Sequence, residues 1–420
     1  MYKDVKFTPK YVRIGRWMNG VLYLPEEHLQ DVAVLVIHSD ADYLDFPAGR
    51  GLASHGYATL CANISRPVEE LDKKLLEVKE AFEYLRSLSF VKHVVLLGHS
   101  GGATLMSCYQ AVAENGAKIF QDEHRIVKMG DINDLPKADA CLFIDSNWGN
   151  GAMTLFSIDP AIKDENSGLN LDPRFDTFST ENGFVEGDTH YSEEFKNRFF
   201  KAQAKRNNYL IATALERLNA INSHQGEYVD DEPFIIPGGA QIAPVNKLFP
   251  QDLSLFSHTK NAYDLLHADG SISHEIIHSL RKPRGNKSMT PVFGLSTLVS
   301  TVKTYLTNSV VKATDEYEIT ETGVKGIDWD SSYCCTPGNI QYIKAPTLIM
   351  GMTGGYEFLA SELLYEKSGS KDKSIAFVEG ASHMLVTAKE CERFPGEFKD
   401  TTVTLFSHVA SWLEKHFKLQ

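Results

Sequence analysis

What this chain of 420 residues lacks narrows its function before any motif is weighed. No stretch approaches the roughly eighteen consecutive apolar residues that a membrane-spanning helix needs, and Met1 to Lys6 holds no apolar core of a secretory leader. Basic charge is scarce. Lys and Arg number 42 against 55 Asp and Glu, and the formal net charge of −13 leaves no basic stripe to neutralise nucleic-acid phosphates or an anionic membrane surface. Cysteine is sparse too: Cys61, Cys108, Cys141, Cys334, Cys335 and Cys391 show no framework spacing. The first three lie in apolar strand or helix patterns, where a thiol acts as a small buried hydrophobe. These absences lead us to expect a soluble, reduced, cytoplasmic protein with no nucleic acid and no membrane among its partners. Its partner is expected to be a small-molecule substrate, with homo-oligomer contacts left open.

What is present is the composition of an ordinary globular enzyme, 43% hydrophobic and 23% charged. The length suits one enlarged domain or two closely joined ones. The stretch around which the rest is organised is His93 to Gln110, HVVLLGHSGGATLMSCYQ. An apolar, mostly β-branched or leucine run, Val94 to Leu97, meets Gly98-His99-Ser100-Gly101-Gly102, and a segment of helical character follows at once. G-x-S-x-G alone is weak evidence; between a buried strand and a helix it describes a sharp turn that lifts a serine hydroxyl above a sheet. Glycine is needed two positions either side because a side chain there would collide with the neighbouring backbone. The Gly101 N–H, opening a helix, points to where an oxyanion would form.

Taken in order, Val5 to Ile14 and Val21 to Leu24 flank Met18-Asn19-Gly20, an Asn-Gly hairpin signal. Asp31 to His38 is a strand buried on both faces, and the loop from His38 to Tyr43 follows it. Pro47 to His55 reads as a helix, Tyr57 to Ile64 as a strand, and Val68 to Leu88 as a helix with leucines and charges at helical spacing. Ala138 to Asp145 is the next strand. The core resumes with Pro346 to Met352, a helix from Ala360 to Lys367, a strand from Ser374 to Val378, Gly380-Ala381-Ser382-His383, and a helix from Val403 to Phe417. This rhythm implies a mostly parallel sheet with helices on both faces.

The serine turn within this strand order resembles the α/β-hydrolase superfamily. The resemblance covers residues 1–145 and 346–420 and implies an α/β-hydrolase core domain, with 146–345 as a large, mainly helical cap or lid insertion. Glu194 to Ile221 is its clearest helix. The resemblance also implies Ser100 as nucleophile, His383 as base, and an oxyanion hole built from the backbone N–H groups of Gly101 and Asp40. The third member is less regular. The slot the superfamily commonly uses, just after the Pro346 to Met352 strand, falls on Gly354 and Gly355, which carry no carboxylate. Asp145, at the end of the strand after the nucleophile helix, and Glu357, two residues beyond the empty slot, are the two candidates, with Asp145 preferred. His99, beside the serine, is expected to pack or hydrogen-bond locally.

A rival motif is His274-Glu275-Ile276-Ile277-His278, an H-E-x-x-H that on a helix would place two imidazoles on one face to grip zinc. Gly270 before it and Pro283 after it leave room for a short helix only, and no third ligand follows at metalloprotease spacing. It therefore reads as an amphipathic cap helix with solvated histidines, and neither metal nor cofactor is expected. The expected activity is hydrolysis of an ester, thioester or lactone of a bulky small molecule through an acyl-enzyme on Ser100. Carbon-carbon bond hydrolysis by the same triad and a non-catalytic ligand-binding protein on a hydrolase scaffold are the alternatives.

Overall fold

Runs of Val, Leu and Ile with no polar interruption form strands that must be covered on both faces. In the computed structural model, which describes residues 4–27, 29–167, 170–241, 246–284 and 296–417, such runs build the centre of one large sheet. Met1 to Lys3 of the N-terminal segment lie outside the described residues. The chain opens with β1 (Phe7–Ile14) and β2 (Met18–Pro25) and then alternates β3 (Val32–Ile37), α1 (Pro47–Ala53), β4 (Ala58–Asn63), α2 (Leu71–Arg86), β5 (His93–Ser100), α3 (Gly101–Asn115) and β6 (Ala140–Ser146). A long insert supplies α4 (Asn150–Leu155), α5 (Glu193–Asn222), β7 (Pro233–Ile236), β8 (His258–Leu266), β9 (Ile272–His278) and β10 (Leu298–Thr301). It continues with α6 (Val302–Asn308), β11 (Lys312–Thr320), β12 (Gly323–Asp328) and α7 (Thr336–Ile340). β13 (Thr347–Met352), α8 (Phe358–Lys367), β14 (Lys373–Val378) and α9 (Thr401–His416) complete it. Among the described residues no helix is long and apolar enough to cross a membrane.

The strands lie in the order β1-β2-β4-β3-β5-β6-β13-β14-β8-β9. Every pairing from β4 to β8 is parallel, and β1, β2 and β9 are antiparallel margins. This is the architecture of the α/β-hydrolase fold. Successive residues of β3 serve opposite faces. Ala33, Leu35 and Ile37 join one core with Leu75 and Val78 of α2 and Met106 of α3, whereas Val32, Val34 and Val36 join another with Leu52 of α1 and Leu405 and Val409 of α9. Each such side chain, fully buried, contributes about 1.5–3 kcal/mol, so one charge in the middle of β3 would remove a large part of the net stability. The chain leaves β3 on one side for β4 and returns on the other for β5. That reversal opens a crevice beyond the carboxyl ends of β3 and β5, where His38 and Ser100 lie.

Three sequence-based expectations change. Asn19-Gly20 is not the hairpin turn: Ile14 pairs with Met18 and Val12 with Gly20, so the turn is Gly15-Arg16-Trp17. Asn19 and Gly20 also pair with Asn63 and Ala62 of β4, and this second partner draws them into the ladder. In the insert, α5 is the helix expected, yet strands β7 to β12 share the segment. Nor does the insert stand apart from the core. β8 pairs with β14 and covers what would otherwise be an exposed sheet edge. Trp148, Phe249 and Phe256 of the insert share one apolar cluster with Phe358 and Phe377 of the core, and Cys334 and Ile340 pack in the cluster that holds α3.

Candidate active site

Ser100 ends β5 with φ 51° and ψ −130°, a combination that L residues rarely adopt and that costs about 1–3 kcal/mol. The flanking glycines are what allow it. A Cβ on Gly98 would lie 2.7 Å from Ala103 Cα, and one on Gly102 would lie 2.7 Å from the Ile37 carbonyl oxygen. The turn therefore packs α3 directly against the end of β3. Gly101 is the first residue of α3, so its N–H belongs to the amides that a helix leaves without an internal acceptor. A Cβ on Gly101 would lie 2.7 Å from Ser39 Oγ and 2.9 Å from Asn150 Oδ1.

His383 lies in the loop after β14, and its Nδ1 is 2.7 Å from Asp145 Oδ2. Asp145 is fully buried at the end of β6, with φ 43°, and its other oxygen accepts the Met352 N–H at 2.8 Å. A carboxylate can only accept here, so the imidazole carries its proton on Nδ1 and leaves Nε2 to take one from a nucleophile. Burial raises the Asp145 carboxyl to about 6, against the pull of His383. For His383, burial acts downward, but the negative charges of Glu357 and Asp145 and the hydrogen bond to Asp145 outweigh it and raise the imidazole to about 9.

Glu357 is nearby without being the partner. Its Oε2 accepts the Tyr356 N–H at 3.1 Å, while its carboxylate, that of Asp145 and the imidazole lie within 4.8 Å of one another. Two carboxylates and an imidazole could hold a small cation, but the His383 Nδ1 is already engaged by Asp145. Of the two candidate acids, it is Asp145 that makes the bond to His383.

His99 does more than pack locally. A carbonyl cannot donate, so His99 Nε2–H donates to the His383 carbonyl oxygen at 2.6 Å, and Nδ1 accepts from the Tyr43 hydroxyl at 2.5 Å. Burial holds this imidazole well below its usual range, in the neutral form the network requires. The chain Tyr43–His99–His383 thus ties the loop after β3, the serine turn and the histidine loop together. Nothing in the sequence marks Tyr43 for this role, because its partner lies 56 positions away.

Asp40 departs from expectation. Its N–H points at His38 Nδ1, at 3.2 Å, which also receives the Ala41 N–H at 2.9 Å. The same peptide is held from behind, since buried Lys74 donates to the Ser39 carbonyl at 2.9 Å. In a trans peptide C=O and N–H point opposite ways, so the lysine fixes the Asp40 N–H toward the His38 ring. As the structure stands, the Gly101 N–H has no intrahelical acceptor, whereas the Asp40 amide is already committed to His38.

The H-E-x-x-H motif lies on strand β9, not on a helix. Four residues along a strand span about 13 Å, too far for His274 and His278 to share one ion. His274 bonds Asp264 at 2.9 Å, and His278 stacks on His258 with ring centroids 5.3 Å apart. Pairing with β8 explains the strand, because alternate residues of β9 register against Asp264 and Ala262.

A cavity of about 680 Å³ opens beside His383. Gly354 to Glu357 and Ser382 to Met384 form its core wall, and Gln241, Lys247, Phe249, Pro250 and Arg281 form the wall from the insert.

No protein-family model and no curated relative matches the chain. Among solved structures it aligns with Est1E from Butyrivibrio proteoclasticus at 11% identity, over 98% of this chain and 99% of that one, with a TM-score of 0.39. It aligns likewise with the α/β hydrolase GrgF from Penicillium sp. sh18 at 10% identity, over 99% and 100%, TM-score 0.41. A complex of DcsB with its substrate analogue gives 9% identity over 98% and 100%, TM-score 0.41. Likeness this loose adds nothing to what the strand order itself provides.

Proposed function

We propose that the protein is a serine hydrolase that cleaves an ester, thioester or lactone of a small molecule through an acyl-enzyme on Ser100. The observation that carries this reading is the hydrogen bond between His383 and the fully buried Asp145, residues 238 positions apart, with His383 tied through its carbonyl to His99, the neighbour of a serine held in a strained turn. Strain and a buried ionisable pair both cost stability, and both are understandable where they prepare a reaction.

In this mechanism Ser100 Oγ attacks the substrate carbonyl carbon while its proton passes to His383 Nε2. The negative charge gathers on the former carbonyl oxygen, facing the Gly101 N–H. One such donor is worth about two to three orders of magnitude in rate. Collapse expels the alcohol or thiol, which takes the proton from His383, and leaves the acyl group on Ser100. Water then attacks the acyl carbon and gives a proton to His383, and collapse releases the acid as that proton passes from His383 to the departing Ser100 Oγ. Asp145 holds the Nδ1–H tautomer and stabilises the imidazolium without itself taking the proton. The Asp40 N–H joins the oxyanion hole only if its peptide turns away from His38.

The test is intact mass after a fluorophosphonate probe, with the wild type beside Ser100→Ala and Asp145→Asn. A single adduct, lost in Ser100→Ala and formed on the order of ten-thousandfold more slowly in Asp145→Asn, is the expected result. No adduct on folded wild type would end the serine-hydrolase reading.

A further inference from the structure

In a protein of net charge −13, the cavity beside His383 has the opposite sign. Among the described residues, Lys247, Arg281, Lys282 and Arg284 line it against two carboxylates, Glu357 and Glu390. Glu357 lies at the end nearest the triad, and Glu390 is 3.5 Å from Arg284 at the exposed rim. The middle of the cavity is therefore positive. Arg281 is its best-placed group. Its guanidinium donates to the carbonyl oxygens of Phe256 at 2.7 Å, Phe249 at 3.2 Å and Leu255, and lies over the Tyr356 ring at 5.9 Å. Among the described residues these acceptors are neutral, and Arg281 Nε is buried without a hydrogen-bond partner. Carbonyl contacts orient the guanidinium plane without neutralising it, and the carboxylates of Glu357 and Asp252 offset its charge only through space, with no hydrogen-bonded ion pair among the described residues. Lys247 sits deeper, only 4% exposed and 2.8 Å from Asn246 Oδ1; burial lowers its ammonium to about 7, and the Asp159 carboxylate opposes that only in part. Taking cations out of water is costly unless a negative charge meets them.

We infer that this cavity is the subsite for an anionic group on the substrate, so that the preferred ester carries a carboxylate or phosphate on its acyl or its alcohol part. The inference rests on the ester-hydrolase reading for its chemistry and on the cavity for its charge. A positive, low-dielectric cleft in an acidic protein also concentrates anions selectively at the site, an effect that weakens with salt.

The experiment measures kcat/KM for matched neutral and anionic esters: 4-nitrophenyl valerate against 4-nitrophenyl hydrogen glutarate for the acyl side, and phenyl valerate against 4-carboxyphenyl and 4-phosphonooxyphenyl valerate for the alcohol side. The expected result is that at least one anionic ester exceeds its neutral partner by about tenfold or more, with a preference that shrinks as salt is raised. Lys282→Gln/Arg284→Gln, both at exposed positions, is expected to reduce that ratio severalfold, whereas Lys128→Gln, on a surface outside the cavity, leaves it unchanged. Which ester responds identifies the side and the kind of anion. Equal rates for neutral and anionic members of every pair, or a ratio insensitive to salt and to the double substitution, would overturn the inference while leaving the hydrolase intact. If no ester is cleaved and Ser100 takes no fluorophosphonate, the hydrolase reading is what fails. Calorimetric titration of the full chain with glutarate and with inorganic phosphate then decides the subsite: binding lost in the double variant supports it, and no binding of either anion refutes it.

Discussion

Glu357→Gln should move the pH profile of hydrolysis toward acid, and the size of the move follows from the geometry of the carboxylate pair. In the proposed mechanism the base must be neutral to accept the Ser100 proton, so kcat/KM is expected to rise with pH and reach half its plateau at the pKa of His383. That pKa stands near 9 because two carboxylates face the imidazole. Glutamine keeps an oxygen for the Tyr356 N–H but removes one charge lying within 4.8 Å. At that distance one charge contributes about 0.9 kcal/mol in a medium like water and about 3.5 kcal/mol at an effective dielectric of about 20. At about 1.36 kcal/mol per pH unit this is a downward shift of about 0.6 to 2.5 units. A shift of about one unit would raise the neutral fraction at pH 7.5 from about 3% to about 24%, an increase of about eightfold in kcat/KM. The assay is a pH-stat titration of a neutral ester from pH 6 to 10, comparing wild type with Glu357→Gln. A variant profile that superimposes on the wild type, or moves toward alkali, would refute the electrostatic argument. Loss of activity at every pH would instead make Glu357 the acid and Asp145 the bystander.

Three further outcomes follow from the same coordinates of charge and contact. His99→Ala leaves the Tyr43 hydroxyl and the His383 carbonyl without each other's bridge; kcat should fall about tenfold with little change in KM, and the folded state should lose about 1–3 kcal/mol in urea titrations. An unchanged kcat would show that the bridge does not position His383. Lys247 has its folded-state pKa lowered to about 7 from 10.5, so between those values the unfolded chain binds a proton that the folded chain lacks. Its contribution to stability therefore increases with pH across that window, by up to about 1.4 kcal/mol per unit, and the difference between wild type and Lys247→Met in unfolding free energy should slope accordingly. A flat difference would place Lys247 in contact with solvent. His274→Ala/His278→Ala and exhaustive chelation should both leave ester hydrolysis unchanged, since strand β9 keeps these imidazoles apart; chelator-sensitive activity restored by zinc would contradict that geometry.

The elements of this protein are written locally. Continuous apolar runs become β3, β5, β6 and β13 because each strand is buried on both faces, and helical spacing of leucines becomes α2 because one face meets the sheet. The serine turn is equally local: Gly98 and Gly102 permit it through contacts with Ala103 and Ile37 that the motif itself demands. Where a segment's fate depends on a remote partner, the sequence is silent or misleading. Asn19-Gly20 reads as a turn until β4 pairs with it, and His274 to His278 reads as a helix until β8 lies alongside. The sequence restricted the acid to two carboxylates and could go no further, because choosing between them needs the distance across β6, β13 and the histidine loop. Tertiary structure alone places Asp145 at 2.7 Å from His383, turns the Asp40 amide onto His38, and gathers four scattered basic side chains into one cavity. Backbone propensity acts over a few residues, whereas charge and hydrogen bonding act between whichever groups the folded chain brings together.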